Sequence, residues 1–158
     1  MNWKCYIAGP MTGLPQFNFP AFFEAAERLR ANGWEVVSPA EIDEPETKAA
    51  ALASPAGAPG TGAANGETWG DFLARDVKLI ADDGIEFIFV LPGWEKSRGA
   101  RLETFVGQRL CGLHVVDYTT GKHVSDAALV AATGLDFMGL PLAAGAEPMP
   151  SSRSRISV

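Results

Sequence analysis

Glu103 is the first of two carboxylates placed where a ligand could meet them. It follows an apolar run at residues 85–91 that stops at a Pro-Gly pair and restarts as Gly-Ala-x-Leu-Glu, which indicates a strand, a loop and a helix N-terminus. The unpaired N–H groups and positive dipole end of such a helix suit an anion, and Ser97 and Gly99 stand at that point. The junction therefore predicts a site for a group such as phosphate, with Glu103 one turn further in.

The helix neighbours of Glu103 are small residues. Gly99 and Ala100 precede it by about one turn and Gly107 follows it by one turn, so little side-chain bulk surrounds the carboxylate. We therefore expect a ligand to reach it. The alternative is a glutamate that only favours the start of a helix.

Asp76 is the second carboxylate. It lies in a segment that begins with the capping pattern Thr68-Trp69-Gly70-Asp71 and continues with helical spacing. The apolar stripe of this helix, into which Asp76 falls, comprises Trp69, Phe72, Leu73, Val77 and Ile80. A carboxylate on a buried face needs a partner or a purpose, so Asp76 is either a second catalytic group or a structural acceptor for a neighbouring loop.

The elements that would position these residues alternate between strands and helices. Apolar runs predict strands at residues 3–8, 34–37, 85–91 and 113–116. Helices are predicted after Asn18, after Thr68, from Ser97 to about Cys111, and within 123–132. This order predicts an α/β fold, a small doubly wound (Rossmann- or flavodoxin-like) parallel sheet with helices on both faces. The crevice at the strand C-termini would collect the Gly9 loop, Asp76 and Glu103.

Two regions break the alternation. Residues 44–65 are rich in Ala, Gly, Pro, Ser and Thr with little periodicity, which predicts a flexible insertion rather than a packed element. Residues 1–118 would form one α/β domain. Beyond it the signal weakens, and residues 119–158 are expected to be an extension that is partly disordered or packed on a neighbouring subunit.

The composition excludes several classes of function. The 13 Lys and Arg against 19 Asp and Glu give a net charge of −6 without a basic cluster, so we expect no polymeric nucleic acid as a partner. No apolar run approaches the ~20 residues of a membrane span and no signal peptide is recognisable, which predicts a cytoplasmic protein without membrane contact. The cysteines and histidines lack metal-ligand spacing, so neither a metal nor a cofactor is expected.

Three motifs in order resemble the nucleoside 2-deoxyribosyltransferase superfamily, which includes the 2′-deoxynucleoside 5′-monophosphate N-glycosidases. They are Tyr6-Ile7-Ala8-Gly9-Pro10, Asp76-Val77-x-x-Ile80-x-x-Asp83 and Ser97-x-Gly99-x-x-x-Glu103. The longer strings Gly9-Pro10-Met11-Thr12-Gly13 and Asn18-Phe19-Pro20-Ala21-Phe22 look most like a branch common in phage and bacterial genomes. The resemblance covers roughly residues 1–118.

The resemblance implies roles for both acids. Glu103 matches the family's nucleophilic glutamate, and Asp76 matches its second acid, which lies near the leaving base. The implied chemistry is cleavage of an N-glycosidic bond through an oxocarbenium-like transition state, with a carboxylate at the anomeric carbon and a protonated acid assisting the base. Asp76 on an apolar face would have the raised pKa of a proton donor, whereas Glu103 is expected at a more polar helix start.

Ser97 indicates the class of substrate. Family members that act on free nucleosides resemble one another in carrying Asp six residues before the nucleophile, whereas the monophosphate hydrolases carry Ser. The resemblance therefore implies a 5′-nucleotide whose phosphate is held by Ser97, Arg98, Gly99 and Thr12, with an ordinary N-cap as the alternative for Ser97. Met11-Thr12 departs from the Ser/Arg-bearing loop expected of the hydrolases. The remaining expected substrate contacts are Tyr6, Gly9, Pro10, Met11, Phe17 and Trp94, of which the last two could stack on the base or anchor their loops.

The sequence hypothesis is an enzyme that hydrolyses, or transfers deoxyribose from, a 2′-deoxynucleoside 5′-monophosphate. Two alternatives stay open: a nucleoside 2-deoxyribosyltransferase acting on free nucleosides, and a module that binds a nucleotide or an NAD-derived signal without turnover. The resemblance also implies that a neighbouring subunit closes the site, so we expect a homodimer or a higher even-numbered oligomer.

Overall fold

A computed structural model describes residues 3–133 of the protein, and a four-stranded sheet forms its centre. The strands are β1 (Lys4–Ala8), β2 (Glu35–Val37), β3 (Phe87–Val90) and β4 (His114–Asp117). Their order is β2-β1-β3-β4, and every neighbouring pair is parallel. The chain therefore winds from β1 to one edge and then builds toward the other, which confirms the doubly wound α/β fold and places the switch point between β1 and β3.

Helices connect these strands. They are α1 (Phe19–Ala31), α2 (Pro39–Ile42), α3 (Pro45–Ala53), α4 (Trp69–Asp82), α5 (Arg98–Phe105) and α6 (Asp126–Thr133). Short 3-10 turns lie at Pro15–Asn18 and Trp94–Lys96, and a π turn at Val106–Leu110 continues α5. The α2 turn was not predicted from the sequence, whereas all four strands lie within two residues of their predicted bounds.

Helices cover both sides of the sheet, as predicted. On the side that we call the first face, α1, α2 and α3 pack on strand residues such as Cys5, Ile7 and Phe89. On the opposite side, the second face, α4, α5 and α6 pack on Tyr6, Ile88 and other alternate residues of the same strands. Because side chains alternate along a strand, one short apolar run supplies both layers.

The start of α4 confirms the predicted capping pattern. Thr68 Oγ1 accepts a hydrogen bond of 3.3 Å from the backbone N–H of Asp71, and Asp71 Oδ2 accepts one of 2.7 Å from the backbone N–H of Thr68. Asn18 precedes α1 as predicted but makes no side-chain capping bond, because it has a φ of 61° and its Nδ2 donates to the Pro10 carbonyl at 2.9 Å.

Residues 44–65 contain more regular secondary structure than the sequence predicted. The expectation that no packed element forms there was wrong for α3, which buries Thr47 and Ala51. Further along, the carbonyl of Gly57 accepts a hydrogen bond of 2.8 Å from the backbone N–H of Gly13. Alanine's high helix propensity accounts for α3, whose narrow buried strip gives little periodicity.

The packed part of the chain continues past the predicted boundary at residue 118. An antiparallel bridge joins Val116 to His123, and α6 follows with Leu129 buried in the second face. The helix predicted within 123–132 is therefore confirmed, and the rest of the predicted extension lies outside the described residues. Within residues 3–133, no helix has both the length and the apolar character that crossing a membrane requires.

Candidate active site

Tyr6 and Glu103 link the first strand to the helix that follows β3. Tyr6 is the middle residue of β1, and its fully buried side chain lies in the second face. Its hydroxyl donates a hydrogen bond of 3.2 Å to Oε1 of Glu103, which is 7% exposed. The carboxylate that was predicted to be a nucleophile is therefore oriented by the central strand.

Asp76 reaches the same place from α4 and is also 7% exposed. Two nitrogens of Arg75, Nε and a terminal one, each lie 2.8 Å from Asp76 Oδ1. The same guanidinium pairs with Asp43 at the end of α2. Asp76 is close enough to Glu103 for its charge to raise the pKa of that group. Helices α4 and α5 thus bring the two predicted acids together.

Burial raises the pKa of both acids, but unequally. Desolvation raises the pKa of Asp76 to about 6, and the adjacent Arg75 opposes this effect. Desolvation, and then the charge of Asp76, raises the pKa of Glu103 to about 8, and the hydrogen bond from Tyr6 and the charge of Arg75 oppose this effect. The expectation of a more polar environment for Glu103 was therefore wrong, because its carboxylate is buried and, unlike that of Asp76, has no cation in contact among the described residues.

The small residues around Glu103 have different roles. A Cβ on Gly107 would lie 2.3 Å from Cδ1 of Ile88, so this glycine lets the π turn approach β3. Ala100 is buried at 1% exposure. A Cβ on Gly99 would have only the Ser97 hydroxyl oxygen nearby, at 4.0 Å. Of these two glycines, only Gly99 has open space where a Cβ would stand, so Gly107 does not contribute the predicted access to Glu103.

Half-buried Ser97 and exposed Arg98 form the rim at the start of α5. Ser97 Oγ accepts a hydrogen bond of 3.2 Å from the backbone N–H of Ala100, which confirms the N-cap and leaves the hydroxyl hydrogen for another acceptor. The Arg98 guanidinium lies 4.9 Å from the centre of the Trp69 ring, and this indole at the start of α4 is 49% exposed. The two helix starts are therefore joined by a cation–π contact.

The loop after β1 packs on the loop after β3. A Cβ on Gly9 would lie 2.9 Å from the Cβ of Leu91, so this glycine is required for packing. Pro10 is held through its carbonyl as described above, and Met11 is half-buried against the first face. Thr12 is exposed. Of these four predicted contacts, Thr12 alone presents an exposed side chain.

Phe17 and Trp94 are loop anchors. Phe17 is 8% exposed and lies in the first face, and Trp94 is 3% exposed and lies in the second. Rings buried to this extent leave no face for a base, so the structure does not support the stacking role considered for them.

Residues 3–117 match a family model described as Domain of unknown function (DUF4406). The chain belongs to the DUF4406 family. No curated protein and no solved structure matches the chain. The DUF4406 region contains Tyr6, Asp76, Ser97 and Glu103, and it ends at the last residue of β4.

Three residues of this DUF4406 site were not identified from the sequence. Arg75 precedes Asp76 directly in the sequence, so a cation next to the buried acid could have been predicted. Trp69 was assigned to the apolar stripe, although its place at the first helical residue favours exposure. Asp43 lies 32 residues from Arg75 and gave no local signal, because only the packing of the α2 end against α4 brings them together.

Proposed function

We propose that this DUF4406 protein cleaves the N-glycosidic bond of a 2′-deoxynucleoside 5′-monophosphate. The observation that supports this most is the buried cluster of Glu103, Asp76 and Tyr6 beside the switch point of the sheet. Neighbouring buried carboxylates destabilise a fold, so their presence favours a chemical purpose. The resemblance of the motifs to the nucleoside 2-deoxyribosyltransferase superfamily supplies the class of reaction.

In the proposed reaction, Glu103 attacks the anomeric carbon while the bond to the base breaks. The bonding electrons leave with the base nitrogen, which takes a proton from Asp76. Water or a second base then displaces Glu103 from the sugar and returns a proton to Asp76, which gives hydrolysis or transfer. Tyr6 holds the attacking carboxylate in place through its 3.2 Å hydrogen bond.

This reaction needs one proton on the pair of acids. With pKa values of about 6 for Asp76 and about 8 for Glu103, the pair holds one proton near pH 7. In the free site that proton favours Glu103 and must pass to Asp76 before attack. This transfer is unfavourable in the free site. Positive charge developing on the sugar stabilises ionised Glu103 and offsets part of the unfavourable free energy.

We place the phosphate at the first turn of α5. Ser97 keeps a hydroxyl hydrogen to donate, Gly99 leaves space, and Arg98 is an exposed cation braced by its contact with Trp69. Thr12, exposed in the loop after β1, is the fourth proposed contact. The motif resemblance supports a nucleotide over a nucleoside at this point, because Ser97 stands where the nucleoside enzymes carry Asp.

The two acids of the buried cluster favour an enzyme over a binding module without turnover. Asp76 and Glu103 would repel an anionic ligand that is only bound. Their burial is explained if each reacts with the substrate.

We also propose that a second subunit closes the site. Trp69, Leu102 and Leu110 are exposed apolar residues on α4, α5 and the π turn, which favours an isologous contact through these helices. Size exclusion with light scattering should give a dimer or a higher even-numbered oligomer. A monomer with full activity at micromolar concentration would contradict this.

The direct test of the function is a substrate panel. The protein is incubated with 2′-deoxynucleoside 5′-monophosphates, the matching deoxynucleosides and ribonucleotides, and free base is quantified by chromatography. We expect base release with the highest kcat/KM for the deoxynucleoside monophosphates. Faster release from deoxynucleosides would favour the transferase alternative, and tight binding without any release would favour the binding module.

A further inference from the structure

Arg75 connects the acid pair to the end of α2. Its guanidinium contacts Asp76 through two nitrogens at 2.8 Å, pairs with Asp43 through a third, and lies 5.5 Å from the centre of the Phe72 ring. Three partners thus fix one guanidinium on one face of α4. We propose that Arg75 is a positioning residue that balances the charge of Asp76 and so places the single proton of the pair on Glu103 in the resting site.

Asp76 and Glu103 have different partners, and this difference supports the proposed role of Arg75. Within residues 3–133, the carboxylate of Glu103 forms no ion pair and accepts one hydrogen bond, from the hydroxyl of Tyr6. The groups that act on Asp76 are Arg75 on its own helix, Glu103 on α5, Tyr6 on β1 and Asp43 at the end of α2. Arg75 is the one cation among them. It contacts Asp76 directly, whereas it acts on Glu103 through its charge alone, without a contact. A planar guanidinium is suited to this bridge because it presents donors in several directions at once.

The position of the proton on Glu103 does not depend on the proposed function. It does affect how the proposed reaction would proceed. If the protein cleaves nucleotides, the proton has to cross from Glu103 to Asp76 before Glu103 can attack. Arg75 then sets how unfavourable that transfer is, although it touches neither the sugar nor the base.

Carboxyl carbon-13 NMR on the ligand-free protein tests the resting state. The two resonances are assigned by their loss in Asp76→Asn and in Glu103→Gln. We expect Asp76 to lose its proton at lower pH than Glu103. The opposite order of titration in the wild-type protein would overturn the proposal.

The Arg75→Gln substitution tests the residue itself. An opposite charge in contact lowers the pKa of an aspartate by about 1–3 units, so removal of Arg75 should raise the pKa of Asp76 by a similar amount. Lys78→Gln is the matched control, because Lys78 lies on the same helix and pairs with the exposed Asp82. It should leave the titration of Asp76 unchanged.

The other possible results also bear on the role of Arg75. An unchanged pKa of Asp76 in folded Arg75→Gln protein would overturn the role of Arg75. If that variant does not fold, Arg75→Met replaces it, because a long apolar side chain suits the position beside the Phe72 ring, and the same shift is expected. Base release measured in parallel separates the two proposals: the expected titrations without any base release would leave the role of Arg75 intact and refute the proposed function.

Discussion

The first face of the sheet packs almost entirely apolar side chains, whereas the second face buries two carboxylates beneath its helices. On the first face, Phe87 and Phe89 meet the ring of Trp34 edge-on, with centroids 5.0 Å and 4.9 Å away. On the second, Asp76 and Glu103 lie beside the phenol of Tyr6. The same strands supply both layers.

The difference separates stability from function within one sheet. Burial of apolar surface stabilises the fold at every pH, because those side chains do not titrate. A buried acid whose pKa is raised destabilises the fold wherever the unfolded chain would be ionised. The first face therefore stabilises the fold, whereas the buried acids of the second face destabilise it. This division is typical of a scaffold that carries a reactive site.

The largest expected effect is on the first face. Phe89→Ala removes a fully buried ring and should reduce the free energy of unfolding by about 3–5 kcal/mol, equally at pH 5 and pH 8. Urea denaturation at both pH values measures this. Ile42→Ala, at a residue that is 40% exposed, is the control and should change stability by less than about 0.5 kcal/mol. A loss below about 1 kcal/mol for Phe89→Ala would contradict the assignment of stability to the first face.

The second face should show the opposite pH behaviour. The pKa of Glu103 is raised from 4.5 to about 8, so the unfolded chain releases its proton first and wild-type stability falls as pH rises between these values. The loss from Glu103 is about 3 kcal/mol between pH 5 and pH 7. Glu103→Gln should remove most of this dependence, whereas Glu95→Gln, at an exposed glutamate in the same junction, should keep it. Equal slopes in Glu103→Gln and wild type would contradict the assignment.

The pH profile of turnover should be bell-shaped. The singly protonated pair is present between the pKa of about 6 and the pKa of about 8, so kcat/KM for base release should be highest near pH 7 and fall about tenfold per pH unit beyond each limb. Initial rates from pH 4.5 to pH 9.5 measure this. If kcat/KM does not change with pH across this range, Asp76 and Glu103 do not take part in the reaction.

The smallest effect concerns substrate preference. Ser97→Asp keeps a capping side chain but places an anion against the phosphate, so the ratio of kcat/KM for a deoxynucleoside monophosphate to that for its nucleoside should fall about tenfold, equivalent to about 1.4 kcal/mol. Ser97→Asn, a capping residue without charge, should retain more of the ratio. If the aspartate variant has the wild-type ratio, the phosphate does not lie at Ser97.

The strands could be predicted because each is a short apolar run bounded by turn residues, and the start of α4 because Thr68 and Asp71 form a local motif. The helix α3 was not predicted, because its Ala-rich sequence shows little hydrophobic periodicity. Asp76 and Glu103 were identified through their helix positions and the motif resemblance. Which of them is the weaker acid could not be predicted, because that depends on Arg75 and its distant partner Asp43, and tertiary packing alone brings these together.

The role of Glu103 in cleavage is tested most directly by comparing base release by the wild-type protein and Glu103→Gln. Each of the common 2′-deoxynucleoside 5′-monophosphates is supplied at saturating concentration, and free base is followed by chromatography, with Glu95→Gln as the control. We expect release by wild-type and Glu95→Gln protein, and at least about 100-fold slower turnover with retained nucleotide binding in Glu103→Gln. Near-normal turnover in folded Glu103→Gln protein would remove Glu103 from the reaction, and no base release by the wild type would refute the proposed activity.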